Sequence, residues 1–267
     1  MASEVTPKLA TPITRLLVAG DPEPPIVANL DGCGAFVIVC DHAGRAVPQA
    51  LGSLGLPRAA FERHIAWDIG AGGVSLKLGT ALDAPVVQQR YSRLVIDCNR
   101  APERADAIVA VSDGTEIPAN AGLKAGDALA RVAEVHAPYH GQIARVLEAR
   151  AAAGLRTALV AVHSFTPRMN GHGRPWHYGV LHLGNSPLSD AMLKELGAEG
   201  DVVVGDNQPY TMDGTDYTVP LHAIGRGLDY LELEIRQDLI ADEAGQTAAA
   251  TRLARLIRQA AARLDIA

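Results

Sequence analysis

The strongest constraint on this chain is a series of short apolar runs, each long enough for a strand and too short for a core helix. Ala35 to Cys40 (AFVIVC), Pro85 to Gln89, Leu94 to Cys98, Thr157 to Val162, Tyr178 to Leu183, Asp201 to Val204 and Tyr230 to Ile235 are rich in apolar or β-branched residues. Runs of this kind suit strands covered by other layers on both faces. Between them lie longer stretches of helical period. Leu129, Val132, Val135, Ile143, Val146 and Leu147 mark one face of a long helix that Pro138 is expected to bend or interrupt. Leu253, Leu256, Ile257, Ala260 and Leu264 mark a closing helix, and further helices are expected over Gly70 to Leu82 and from Pro187 to just before Gly200. The alternation predicts an α/β fold with seven strands in one sheet.

No linker divides the 267 residues, 48% of them hydrophobic, so residues 26–267 are expected to form one domain. Residues 1–25 lack periodicity, end in the turn-rich Asp21-Pro22-Glu23-Pro24-Pro25 and read as a surface arm. Thirty acidic residues against 24 basic ones, with no Lys/Arg cluster, exclude the electrostatic footprint of a nucleic-acid binder. No apolar run has membrane-spanning length and the N-terminus lacks a signal-peptide layout, so no membrane association and a cytoplasmic location are expected. Cys33, Cys40 and Cys98 form no Cys-x-x-Cys pair and are expected to be free thiols.

Ligands of open α/β sheets collect beyond the carboxyl ends of the strands, so the polar residues following each apolar run carry the functional reading. Asp41 and His42 follow AFVIVC, His163 follows TALVAV, and Glu232 and Glu234 lie in the last run. Two histidines and a carboxylate are a common protein ligand set for catalytic zinc. His42 and His163 are the first two candidates, although a strand-end histidine can equally satisfy a backbone group. Asp68 is the nominated third ligand, as an alternative to a helix-capping role there, with Asp41 and His64 as substitutes.

Glu234 shares a strand face with Glu232 and Arg236, which fits a general base as well as a solvent-facing row on an edge strand. Arg93, Asn99 and Arg100 belong to the run RLVIDCNR and suit carboxylate binding and carbonyl polarisation, or a salt bridge with Asp97. Two connections, Ser164 to His177 and Gly205 to Thr218, are long and polar enough to be binding loops or lids. Tyr210, Asn207, His172 and His222 are candidates for lining the pocket, with no chemical step attached, and His177 receives no role. Elbow, phosphate-loop, His-Glu-x-x-His and dinucleotide motifs do not occur.

The ordered set VCDHAG, HIAWDIGA, YSRLVIDCNR, VHSFTP, GDNQPY and LELEIRQDL, spanning Ala35 to Leu239, resembles the N-formylglutamate amidohydrolase family. The resemblance implies a single-domain, three-layer α/β/α fold with a mostly parallel or mixed sheet, related to phosphorylase/hydrolase-like and zinc carboxypeptidase-like folds, and one Zn2+ ion. It also implies that His42 and His163 are metal ligands, that Glu234 is general base and acid, and that Arg93 polarises the scissile carbonyl. Asn99 and Arg100, with Asn207 and Tyr210 nearby, would bind a small-molecule N-acyl amino acid. Carboxypeptidase-like enzymes commonly use His-x-x-Glu, whereas Arg45 stands at that position here, which leaves the third ligand to Asp68. The implied reaction converts N-formyl-L-glutamate to formate and glutamate. The competing readings are a zinc carboxypeptidase or peptidoglycan amidase on larger substrates, or a non-catalytic metal-dependent binding protein.

Overall fold

The computed structural model describes residues 15–184 and 186–266. Strands β1 (Ile26–Ala28), β2 (Phe36–Cys40) and β3 (Val86–Gln88) come first, followed by a small hairpin of β4 (Val111–Ser112) and β5 (Thr115–Glu116). Next come β6 (Ala158–Phe165) and a hairpin of β7 (Arg168–Met169) and β8 (His172–Gly173). The last three strands are β9 (Tyr178–Leu181), β10 (Val204–Asp206) and β11 (Tyr230–Arg236). The helices are α1 (Ala71–Leu82), α2 (Ala125–Arg131), α3 (Ala137–Ala152), α4 (Pro187–Ala198), α5 (Thr218–His222) and α6 (Glu243–Ala262).

Seven strands form the main sheet in the order β1-β3-β2-β6-β11-β9-β10. The central strands β3, β2, β6 and β11 are parallel, whereas β1 pairs antiparallel with β3, and β9 with β11. The sheet is therefore mixed, and its middle strands all end on the same side.

Alternation along each strand divides the core into two layers. Phe36 and Ile38 of β2 pack with Val74 and Leu78 of α1 and with Leu253 and Ile257 of α6. Val37 and Val39 point the other way, onto Tyr139 and Ile143 of α3. Each fully buried aliphatic side chain contributes about 1.5–3 kcal/mol relative to exposure, which fixes the register of both faces. On β11, Leu231, Leu233 and Ile235 take the α1/α6 side. Glu232 and Glu234 consequently turn toward the α3 side, where they are buried. Because β11 lies between β6 and β9, the exposed edge-strand row is not what forms.

The expected strand over Leu94 to Cys98 is instead a buried, turn-rich segment. Side chains satisfy its backbone in place of a neighbouring strand. Asn120 donates to Leu94 O and Arg131 to Val95 O, each at 2.9 Å, while Ser92 and Asp97 accept from the amides of Leu94 and Asn99. The seventh place in the sheet goes to β1, which has no counterpart among the expected runs. The strand expected over Asp201 to Val204 begins at its last residue, because the His177 ring accepts from the amide of Val203 at 2.8 Å.

Pro138 does not break the long helix. It lies in the first turn of α3, where its missing amide is tolerated, and the irregularity falls in a π-helical turn over Val132–His136. Leu129, expected on the buried face, is exposed. Residues 1–14 of the expected arm lie outside the described residues. Leu16 is buried against the body, and the Glu134 carboxylate accepts from the amides of Leu16 and Leu17. All three cysteines are free. No helix among the described residues is long and apolar enough to cross a membrane.

Candidate metal centre and substrate cavity

β2 ends two residues before His42, whereas β6 runs on to Phe165, so His163, expected to follow its run, lies inside the strand; the two rings meet with centroids 5.2 Å apart. Between α1 and the preceding loop, Gly70 takes a left-handed φ of +81° against the backbone of Ile240, where a side chain would collide. That turn, with the amide of Asp68 bound to His42 O at 2.9 Å, directs the Asp68 side chain under the two imidazoles. Asp68 does not cap α1; Gly70 occupies the N-cap position.

One oxygen, Asp68 Oδ2, lies 3.4 Å from His42 Nδ1, 3.1 Å from His163 Nδ1 and 3.2 Å from the amide of Ser164, which donates to it. One ligand atom from each of His42, Asp68 and His163 can be chosen so that all lie within 4.8 Å of one another, and all three residues are buried. The opposite edge of each imidazole meets a second carboxylate. His42 Nε2 is 2.7 Å from Asp97 Oδ1, and His163 Nε2 is 3.3 Å from Asp41 Oδ2, an ion-pair contact at a poor hydrogen-bonding angle. Asp41 is held by the Thr218 hydroxyl, which donates at 2.7 Å. Carboxylates behind the rings of metal-binding histidines fix tautomer and orientation.

The electrostatics follow from this crowding. Burial and the charge of Arg93 oppose protonation of His42, yet Asp97 and Asp68 outweigh them and its pKa is raised. Burial likewise opposes protonation of His163, but the nearby carboxylates of Asp41 and Asp68 hold its pKa well above the ordinary value. Each ring thus lies between two carboxylates. A metal ion fits the residues present: His42, Asp68 and His163 would hold it, with Asp97 and Asp41 behind the two Nε2 atoms. Asp41 and His64 are not in this trio. Asp41 backs His163, and His64 lies 3.5 Å from Asp113.

The trio opens into a cavity of about 560 Å³, within the usual range for small-molecule sites. Glu234 forms part of its wall and is the register partner of His163 on the adjacent strand. Its Oε2 is buried without a hydrogen-bond partner, and burial pushes its pKa up; Glu232 is pushed up to about 8 for the same reason. Gly179 of β9 lies opposite Glu234, with the backbone of Gln208 against its Cα where no Cβ could fit.

Arg93 also lines the cavity. It donates to Asp97 Oδ2 from Nε at 3.1 Å and from Nη2 at 2.6 Å, with Nη1 3.4 Å from Asp68 Oδ1, so the expected salt bridge to Asp97 is present. Asn99 uses its carboxamide inside the protein: Oδ1 accepts from the amides of Tyr217 and Thr218, and Nδ2 donates to Asp216. Arg100 faces the cavity, donates to the carbonyls of Asn99 and Thr215, and lies 3.6 Å from Asp216. Tyr210 is on the cavity wall. Asn207 is not; its carboxamide is bound to the backbone of His182. His172 is exposed in β8, and His222 is buried against His140. Sequence reasoning placed Asp97 only as a partner of Arg93. Its contact with His42 could not be read from spacing, because the segment was expected to be extended.

Fold and site together define an α/β protein with a strand-end cluster of potential metal ligands beside an unpaired buried glutamate. The chain belongs to the N-formylglutamate amidohydrolase family, a family of hydrolases whose model matches residues 34–241. A solved gene product of Agrobacterium tumefaciens is 38% identical, with a TM-score of 0.90 over 94% of this chain and 100% of that one. The N-formylglutamate amidohydrolase of Ralstonia eutropha is 16% identical, with a TM-score of 0.71 over 90% of this chain and 97% of that one, a likeness of fold. No curated protein matches the chain.

Proposed function

We propose that this protein is a zinc-dependent amidohydrolase that cleaves N-formyl-L-glutamate to formate and glutamate. The observation that supports this most is the shared approach of two imidazole Nδ1 atoms to Asp68, beside a glutamate whose Oε2 has no other partner. Two histidines and one carboxylate suit zinc and leave coordination open. When bound, zinc supplies Lewis acidity, lowering the pKa of water and polarising a carbonyl.

His42, Asp68 and His163 would hold the ion. A cation there also favours the ionised form of Glu234, which burial alone opposes. Glu234 then takes a proton from the attacking water and delivers it to the departing nitrogen, so water adds across the amide and the carbon–nitrogen bond breaks. Arg93, braced by Asp97 and Asp68, directs a guanidinium N–H to the carbonyl oxygen as negative charge develops. Arg100 holds the amino-acid carboxylate. Asn99 supports the same subsite by fixing the turn at Tyr217, and Tyr210 forms the wall.

The cavity volume of about 560 Å³ favours a small N-acyl amino acid over a peptidoglycan or polypeptide chain. Three free thiols fit a reducing, cytoplasmic setting. The test is formate release from N-formyl-L-glutamate by zinc-loaded protein, by chelated protein and by Glu234→Gln. Release confined to the loaded parent is expected; equal activity in all three overturns the proposal.

A further inference from the structure

The arginines around the cavity differ in what already neutralises them. Arg93 is bound to Asp97 and Asp68, Arg100 lies 3.6 Å from Asp216 and 3.7 Å from Asp106, Arg104 takes Asp106 at 2.7 Å, and Arg63 takes Asp113 at 3.0 Å. Arg174, among the described residues, has no carboxylate within ion-pair distance. Its guanidinium lies 4.7 Å from the ring centre of Tyr210 and 5.9 Å from that of Phe165, and Nη1 donates to the Tyr210 hydroxyl at 2.9 Å.

Both aromatic partners tie Arg174 to the site. Tyr210 lines the cavity together with Glu234, and Phe165 ends the strand that carries His163. The backbone is fixed as well, since the amide of Arg174 donates to Pro167 O at 2.9 Å, closing the loop that carries the β7–β8 hairpin. Arg174 is half-buried and stands behind the cavity wall, reaching it through Tyr210. Stacking on aromatic faces holds a guanidinium in place while leaving most of its N–H donors free. The Tyr210 oxygen accepts from Arg174, so its own proton remains available for another acceptor.

We infer that Arg174, presented by Tyr210 and Phe165, is the specificity residue that receives the side-chain carboxylate of an N-acyl dicarboxylic amino acid. This rests on the proposed amidohydrolase reading, in which Arg100 takes the main carboxylate. A dicarboxylate then meets two cationic sites, and a neutral side chain of the same shape leaves Arg174 unpaired. Because Arg174 is half-buried, the discrimination comes from the charge it offers the second carboxylate.

The experiment compares kcat/KM for N-formyl-L-glutamate and the isosteric N-formyl-L-glutamine in the zinc-loaded parent, Arg174→Gln and Arg174→Lys. The parent is expected to prefer the glutamate substrate by about tenfold or more, with the preference collapsing toward unity in Arg174→Gln, chiefly through KM, and partly kept in Arg174→Lys. Calorimetric binding of L-glutamate and L-glutamine to the same proteins supplies a readout without turnover. Glutamate binding that depends on Arg174 in a protein that does not hydrolyse the amide upholds the anchor and removes the amidohydrolase reading. Hydrolysis with a preference unchanged by Arg174→Gln does the reverse. A parent that neither prefers nor binds the dicarboxylate overturns the inference, and unaltered circular dichroism and melting temperature exclude misfolding as the cause of a loss.

Discussion

Glu234 on β11 and His163 on β6 are direct register partners on adjacent parallel strands. The pairing sets a buried carboxylate oxygen with no hydrogen-bond partner beside a candidate metal ligand, on strands and not on a loop. Strand-borne groups of this kind are more precisely held than loop-borne ones.

Replacing Glu234 by Gln keeps the shape and removes the proposed base. The expected result is a fall in kcat of about 10²- to 10⁴-fold with bound zinc unchanged, measured by formate release and elemental analysis on the same preparation. Loss of metal in parallel with activity would mean that Glu234 acts on the ion instead.

Asp41 does not line the cavity and touches the candidate metal centre through His163. Asp41→Asn is expected to weaken zinc binding by about 10- to 100-fold in chelator competition, and Thr218→Val, which removes the hydroxyl that holds Asp41, by less. An affinity equal to the parent's in Asp41→Asn would leave that carboxylate without a role in orienting His163.

Much of this site was legible from the ends of the apolar runs. AFVIVC and TALVAV became central strands, and the residues expected at their ends, His42 and His163, meet in space. The segment Leu94 to Cys98 was opaque because the partners that satisfy its backbone, Asn120 and Arg131, lie far along the chain and carry no periodic signal. Asn207 fits a pocket-lining role by its place in a polar loop, yet its φ of +49° and its bonds to His182 make it a turn residue. Arg174 stands out only once Arg63, Arg93, Arg100 and Arg104 are seen to be paired with carboxylates.

His140 and His222 form a buried pair, Nδ1 to Nε2, at 3.0 Å. Burial, first among the causes, lowers their pKa values to about 3 and about 4 from 6.5. A base whose folded pKa is depressed adds stability above its unfolded value, and that stability is lost as pH falls from about 6.5 toward the folded values. Glu232, raised to about 8, has the opposite slope between 4.5 and 8. The difference between parent and a His140→Gln/His222→Gln variant isolates the pair. In urea titrations the parent is expected to lose more stability than the variant between pH 6.5 and 4; parallel curves would show that the pair does not titrate there.

Gly179→Ala tests the close approach behind Glu234. A Cβ at that position meets the Gln208 carbonyl, so the chain must shift. The expected destabilisation is ~1–3 kcal/mol by thermal or urea unfolding, with lowered activity as Glu234 moves. An unchanged midpoint would mean that β9 and the Gln208 loop yield freely.

The central claim is that one zinc ion sits among His42, Asp68 and His163. Anomalous diffraction from crystals of zinc-loaded protein, recorded on both sides of the zinc absorption edge, tests it most directly. The expected result is a single strong peak about 2.0–2.2 Å from both imidazole nitrogens and an Asp68 oxygen. No peak at that position in crystals of catalytically active protein would contradict the account.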